Sequence, residues 1–307
     1  SADSWNSDHD SNVATAAVAY GSTDGPARAN ATVGTPSSAD GALDFSGGTI
    51  RGRVLNAGGT ISKSSGAILS STTSGTGWDT SLISSDFSAT FPAIEVPNPP
   101  TLDKNAVNST TPIAVPSTLP RTGDLAYNGV YYYDFGSGWT LAATGAATNV
   151  LTINGPVVFL ATAHSGSNVI DLGGNASIAV TTSGKLKVYT DGNIEAAGNG
   201  LLNSNISPET LQIFGTNTAT SGQSVRFVGN GTSKAAIYAP NGTFELKGNG
   251  SLYGAVVAYS VNLNGNASFH YDEALGNLTS GNPFGVVKWR ELLSTTDRGS
   301  YSAQLNF

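Results

Sequence analysis

The chain has 307 residues, a formal net charge of −7 at pH 7 and a charged fraction of 11%, well below the roughly 25% typical of soluble domains. The acidic balance argues against nucleic acid as a partner, since binding a phosphate backbone needs clustered Lys and Arg, and the absence of cysteine excludes disulfides, thiolate nucleophiles and Cys-ligated metals. With so few charged residues, the solubility of this chain depends on hydroxyl and amide side chains. That composition is typical of a secreted or surface β-protein, so we expect an extracellular or cell-surface location.

The first 42 residues are polar and acidic, and they predict an irregular N-terminal segment (residues 1–42). Within it, Asp8, Asp10 and Asn12 offer alternating oxygen ligands, as calcium loops do. The run lacks the glycine and the distal glutamate of the EF-hand pattern. We therefore expect no cofactor, and the alternative at this run is a calcium ion.

Residues 43–91 carry short runs in which apolar and polar side chains alternate, such as Thr49–Leu55. This period of two predicts strands, which we interpret as the early coils of a β-solenoid. Residues 92–120 carry seven of the thirteen prolines. Because proline removes a ladder donor and favours extended geometry, we predict a Pro-rich arm that lies along one solenoid, and the alternative is a linker between two domains.

Residues 121–292 are predicted to form the main solenoid with a C-terminal cap. They begin with a cluster of aromatic side chains that either covers a flank or end of the solenoid or forms a sugar-stacking platform. Its members are Tyr127, Tyr131, Tyr132, Tyr133, Phe135 and Trp139. From about residue 150 to 270 the strand pattern is nearly continuous, and no run approaches the length of a membrane span.

A degenerate Gly-Asn repeat appears five times in this part of the chain, at intervals of 24, 31, 19 and 17 residues. Gly and Asn adopt positive φ readily, so each pair suits a corner between two strands, and unequal intervals suit solenoid coils with insertions. We predict an all-β fold, a single-stranded right-handed parallel β-helix. Stacked corners would form an amide ladder from Asn175, Asn199, Asn230, Asn249 and Asn266. The alternative is a β-sandwich in which these pairs are hairpin turns.

The C-terminal part is predicted to cap the last coil. His270 and Asp272 are expected to bond backbone groups there, followed by a short covering helix from Asp272, with a second short helical stretch at Trp289. A metal site is the alternative, but His270 and Asp272 supply only two ligands. The tail, residues 293–307, alternates like a strand, and it either adds to an edge of another copy or folds onto its own solenoid.

Catalysis by a β-helix would need clustered carboxylates or a basic residue on one sheet face. The candidates are sparse, and we expect them to be solvated or to form occasional ion pairs, with Glu245 paired to Lys247 or to a neighbouring coil. They are Asp171, Lys185, Lys187, Asp191, Glu195, Glu245 and Lys247.

Several runs resemble a bacterial domain of uncharacterised function that follows a PilX-like type IV pilus assembly N-terminus in many surface proteins. They are the run from Leu246 to Ala258, the run from Val261 to Asn266, the run His270-Tyr271-Asp272-Glu273-Ala274-Leu275, the later Val287-Lys288-Trp289-Arg290-Glu291-Leu292 and the opening Asp3-Ser4-Trp5-Asn6-Ser7. The sequence departs from that pattern because it lacks the apolar pilin-like helix and continues past Leu292. The resemblance implies a pilus-associated or envelope-associated structural protein, and it brings no catalytic residues.

The sequence thus favours a non-enzymatic, extracellular structural or adhesive β-solenoid of a bacterial cell-surface or pilus-associated assembly, with itself or other subunits as partners. A second hypothesis is a carbohydrate-active β-helix, either a polysaccharide lyase or a binding module. A third is a polymer-forming solenoid like the bactofilins, which would form filaments without a pilus component.

Overall fold

The computed structural model describes residues 1–8, 16–136 and 138–277, and in these residues the chain is all-β. The strands are β1 (Ala2–Trp5), β2 (Ala31–Gly34), β3 (Leu43–Phe45), β4 (Thr49–Leu55), β5 (Ile61–Lys63), β6 (Ile68–Ser70), β7 (Ile83–Ser84), β8 (Lys104–Val107), β9 (Ser117–Leu119), β10 (Tyr131–Phe135), β11 (Leu141–Ala143), β12 (Val150–Ile153), β13 (Pro156–Ala161), β14 (Asn168–Leu172), β15 (Ser177–Val180), β16 (Lys185–Thr190), β17 (Asn193–Ala197), β18 (Gly200–Asn203), β19 (Leu211–Gly215), β20 (Ser224–Gly229), β21 (Thr232–Gly248), β22 (Ser251–Gly265) and β23 (Ser268–Asp272). Short 3₁₀ helices lie at Thr80–Leu82, Thr101–Asp103, Pro208–Thr210 and Glu273–Asn277. None of the helices in these ranges has the length and apolarity that a membrane crossing requires.

Parallel pairing joins the named strands into one sheet of 17 strands, one of four and one of two. Three series of stacked strands emerge. The first runs β8, β10, β13, β16, β19 and then residues 236–239 of β21 and 255–258 of β22, and the second runs β11, β14, β17, β20 and then the later halves of β21 and β22. The third runs β9, β12, β15, β18, then residues 232–235 of β21 and 251–254 of β22, and then β23.

This arrangement is consistent with a parallel β-helix, because the chain returns to the same series in the same direction after three strands. A sandwich of hairpins would need antiparallel neighbours, whereas all pairings between named strands in the described ranges are parallel. Each of the five Gly-Asn corners follows a strand of the second series.

The core lies between the three series, where in-register apolar side chains form buried columns. In the second series one such column contains Leu141, Ile170, Ile194, Val225 and Phe244, each at most 1% exposed. Alternation along each strand sends the intervening residues outward. The outer surface of the second series is therefore set by the residues between these apolar positions.

The N-terminal segment differs from the irregular region that the sequence predicts. β1 pairs in parallel with β23 on one side and with β4 on the other, so the N-terminal strands continue the stack beyond the last C-terminal strand. Trp5, which is 1% exposed, packs edge-on against Tyr20 and Tyr253. A strand of four residues is too short for its period of two to stand out from the surrounding polar sequence.

The Pro-rich arm is shorter than predicted, because β8 and β9 lie within residues 92–120 and pair with β10 and β12. The remaining irregular stretch, residues 86–100, is here called the strap. The Tyr238 hydroxyl donates a hydrogen bond of 2.7 Å to the carbonyl of Pro92, and Ile94 packs on an apolar cluster outside the first series. That cluster includes Val158, Leu160, Tyr189, Phe214 and Tyr238.

The predicted short C-terminal helix is a 3₁₀ turn at Glu273–Asn277 instead of an α-helix. Gly276 disfavours a longer helix, and the Asp272 carboxylate accepts the Ala274 N–H at 3.1 Å, which fixes a tight turn at this point. The predicted stretch at Trp289 lies outside the described residues.

Candidate functional site

The outward column of the second series contains three of the seven charged candidates, and a fourth, Lys247, contacts one of them. Asp171, Glu195, Arg226, Glu245 and Asn262 occupy equivalent positions on five successive strands. Residues paired in register on parallel strands share a face and lie close enough to interact. The strand order therefore builds a single column of polar groups.

Arg226 neutralises the middle of this column. Its guanidinium bonds Glu195 at 2.7 Å and Glu245 at 2.9 Å, and Lys247 also contacts Glu245 at 2.7 Å. The hydrogen bond from Lys247, together with that from Arg226, lowers the pKa of Glu245. The Glu245 hydrogen bond in turn raises the pKa of Arg226. The predicted pairing of Glu245 with Lys247 and with a neighbouring coil is thus present.

Sequence reasoning missed Arg226, which is the residue that ties this column together. Its signal was available in the alternation of Val225, Arg226 and Phe227, which places the guanidinium outward between two buried side chains. Asp171 is in the same column and accepts from the Asn168 amide at 3.3 Å.

The other three candidates lie elsewhere. Lys185 and Lys187 belong to the first series, and the Asp191 carboxylate accepts the His164 backbone N–H at 2.7 Å at the corner between the two series. The structure thus brings together four of the seven candidate residues.

An amide ladder joins three of the five predicted asparagines. The Asn249 side chain donates to Asn230 at 3.0 Å, and Asn266 donates to Asn249 at 3.1 Å. Asn199 donates instead to the backbone carbonyl of Asn175 at 3.4 Å. The interval from Asn199 to Asn230 contains an insertion and is the longest interval of the repeat. The ladder is exposed and borders the charged column at the ends of the same strands.

His270 and Asp272 hold the N-terminal strand against the last coil. His270 Nδ1 bonds the Asp3 carboxylate, so its partner is a side chain of the N-terminal segment and not a backbone group as predicted. Its ring stacks on Tyr253 at 4.4 Å between centroids. Asp272 is fully buried and accepts the Ser7 N–H at 2.9 Å and the Ser7 hydroxyl at 2.6 Å.

The remaining candidate sites give no assembled ligand set. Of the calcium candidates, Asp8 is described, whereas Asp10 and Asn12 lie outside the described residues, as do Trp289 of the cap and the tail at 293–307. Within the ranges 1–8, 16–136 and 138–277, no group of three or more His, Asp or Glu side chains is placed to hold a metal ion.

The aromatic cluster mostly fills space inside the stack. Tyr133 and Phe135 belong to the main core, and Tyr131 and Trp139 pack against it. Tyr132 instead contributes to the apolar cluster outside the first series. Tyr127, at 37% exposed, is the member that is most available to solvent. Most of the cluster is therefore core, which differs from both predicted roles, and Tyr132 is the member that packs on the outside of the first series.

Comparison with protein families gives one match. Residues 101–278, more than half of the chain, match the family model described as a domain of unknown function (DUF7305). Neither the curated proteins nor the solved structures gave a match. The matched region begins just before β8 and ends after the 3₁₀ turn at Glu273–Asn277, so it covers the three stacked series and the corners.

Proposed function

This chain belongs to the DUF7305 family, whose domain has no known function, and from that premise we propose that it is a non-enzymatic structural or adhesive element of an extracellular bacterial assembly. In this proposal the backbone is a single-stranded right-handed parallel β-helix. The pairing of each strand with the third strand after it supports the parallel β-helix. The strong preference of parallel crossover connections for the right-handed form supports its handedness.

The observation that carries the proposal is the outward polar surface of the second series, whose side chains bond one another. Its central charges are paired across coils through Arg226, and the neighbouring asparagines bond one another along the stack. Each coil contacts only its neighbours in such a stack, so length and stiffness grow with coil number. A rigid column with hydroxyl-rich and amide-rich faces is suited to making contacts.

The partners in this proposal are other copies of the chain or other cell-surface subunits. The resemblance to domains that follow PilX-like N-termini favours a pilus-associated setting. Among the described residues, β8 and β9 pair with a strand on one side only, and such an edge offers a contact site because unpaired strand edges accept further strands.

Electron microscopy with an antibody to this chain tests the proposal on intact cells. We expect the label on extracellular structures and rod-shaped particles in the purified protein. Label confined to the cell interior would contradict the proposal. End-to-end filaments formed by the purified chain alone would instead support the polymer-forming alternative.

One observation favours the carbohydrate-active alternative as a second candidate. Asp171 and Glu195 are directly opposite each other on adjacent strands, and Arg226 follows on the next strand. Two carboxylates beside a cation are groups that can act on an acidic or neutral sugar. Binding or cleavage of a polysaccharide that is lost in Glu195→Gln and retained in Lys185→Gln, a variant on another series, would establish this alternative.

A further inference from the structure

The outward face of the first series carries a column of large apolar side chains, in contrast to the polar column of the second series. Leu160, Tyr189, Phe214 and Tyr238, here called the outer apolar column, occupy equivalent positions on successive strands. Each is at most 8% exposed, and the rings of Tyr189 and Phe214 stack at 4.6 Å between centroids. Because these side chains point away from the core, their burial requires a cover on the outside of the stack.

The strap is part of that cover, and it follows the outer apolar column in an extended form. The Pro92 carbonyl accepts the hydrogen bond of Tyr238, and β8, to which the strap leads, lies five strand positions away in the first series. Five strand spacings are about 24 Å. The chain from residue 92 to residue 101 covers about 28 Å in polyproline II geometry, and Pro100 has φ −51° and ψ 143°, close to that geometry. The length of the strap therefore suits this path.

The repeat of a polyproline II helix also matches the repeat of the stack. One polyproline II turn takes three residues and rises about 9.3 Å, and two strand spacings are about 9.6 Å. Every third residue of such a segment can therefore meet every second strand of the column. Ile94 and Pro97, which are three residues apart, are half-buried, and the residues on either side of each are exposed. Pro99, near the end of the strap, is buried as well.

We infer that the outer apolar column is a binding site for extended proline-rich peptide segments, and that the strap occupies it in cis. Aromatic-lined surfaces bind such segments well, because a preformed polyproline II helix loses little conformational entropy on docking. The Tyr238 hydroxyl adds a donor for a backbone carbonyl, and polyproline II leaves its carbonyls without internal hydrogen bonds. The ligand is therefore a proline-rich segment of another chain that displaces the strap. The inference does not rest on the proposed function.

A synthetic peptide with the sequence of residues 90–101 tests the site in trans. In one variant of the protein, residues 92–100 are replaced by alternating Gly and Ser, which keeps the length of the strap and uncovers the column. We expect fluorescence anisotropy to show saturable binding of the labelled peptide to this variant. Binding to the parent protein should be at least about tenfold weaker, because its own strap competes at a high effective concentration. A peptide of the same composition in scrambled order is the control and should not bind.

The Tyr238 hydroxyl provides a matched pair of substitutions in the Gly/Ser variant. Tyr238→Phe should weaken peptide binding about two- to tenfold, because it removes one hydrogen bond and keeps the ring. Tyr259→Phe, on a side chain that is 59% exposed, should leave binding unchanged. Equal affinity of the two variants would overturn the inference. Equal binding of the scrambled peptide, or no saturation of the folded Gly/Ser variant at roughly millimolar peptide, would overturn it as well.

Limited proteolysis of the parent protein provides a second measurement that does not depend on the folding of the Gly/Ser variant. Peptide at roughly millimolar concentration, comparable with the effective concentration of a tethered segment, should displace the strap and raise the rate of cleavage within residues 86–91. The scrambled peptide should leave this rate unchanged. A cleavage rate that does not respond to the peptide would contradict the inference.

Discussion

At the scale of single residues, Asp272 shows how the two ends of the chain are held together. Its carboxylate is fully buried and accepts hydrogen bonds from Ser7 and Ala274. Burial raises the pKa of Asp272, although these hydrogen bonds oppose the shift. A carboxyl whose pKa is higher in the folded state favours folding most below its unfolded pKa, about 3.9, and this contribution is lost as the pH rises through the folded pKa.

We predict opposite behaviour for two substitutions at this site. Asp272→Asn can still accept both backbone N–H groups and donate to the Ser7 hydroxyl, so it should match the parent in acid and become progressively more stable than the parent as the pH rises. Asp272→Ala leaves buried donors without an acceptor and should cost about 1–3 kcal/mol. Urea unfolding between about pH 3.5 and 7 measures both. A stability difference between parent and Asp272→Asn that does not vary with pH would contradict this account.

Gly248 shows the conformational demand of the Gly-Asn corners. Its φ is 93°, and an added Cβ would lie 2.6 Å from the carbonyl oxygen of Gly229 on the coil below. Close stacking of corners therefore requires glycine at this position. The same demand explains why the repeat keeps glycine before asparagine while the flanking residues vary.

We predict that Gly248→Ala destabilises the fold by about 1–3 kcal/mol, since it adds both backbone strain and a steric clash. The matched control is Gly47→Ala, where an added Cβ meets no atom within 4 Å. Denaturant unfolding of the two variants compares the costs. Equal stability of the two variants would show that the corner does not need glycine.

At the scale of elements, the sequence predicts the strands best where corners and alternation coincide. The run from Phe244 to Lys247 alternates apolar and polar residues and is followed by a Gly-Asn corner. It forms the later part of β21 as expected. β1 could not be predicted, because its partner β23 lies at the other end of the chain and the signal for pairing is not local. The ion pairs of Arg226 depend on the register of three strands, which no single segment specifies.

The strap is the element whose attachment can be tested most simply. Tyr238 is fully buried, and its hydroxyl bonds the Pro92 carbonyl at 2.7 Å. Burial raises the pKa of this hydroxyl to about 12, so it remains a donor at neutral pH. The strap thereby covers the apolar surface that the first series presents outward.

We predict that Tyr238→Phe loosens the strap by about 0.5–1.5 kcal/mol, because it removes the hydrogen bond and keeps the packed ring. Limited proteolysis should cut the Tyr238→Phe variant within residues 86–100 up to about tenfold faster than it cuts the parent protein. Tyr127→Phe, on a side chain that is 37% exposed, serves as the control and should leave the rate unchanged. An unchanged rate in Tyr238→Phe would mean that other contacts hold the strap.

At the scale of the whole molecule, the layers do not follow the order of the sequence. The stack begins at β8, rises to β23 and then continues with β1 and β4 from the N-terminal part of the chain. The strap then runs from the N-terminal strands to β8. Both ends of the family-matched region are thus tied into one column, and this column is the structural basis of the proposed role in making contacts.

Electron-paramagnetic-resonance distances along the outward column of the second series test this stacked column most directly. Spin labels at Ala142 paired with Arg226, Glu245 or Asn262 lie three, four and five strands apart. The Cα separations should increase in steps of about 4.8 Å, to roughly 14, 19 and 24 Å. A regular increase of this size is the predicted result, and distances that do not increase with strand number would contradict the stacked column.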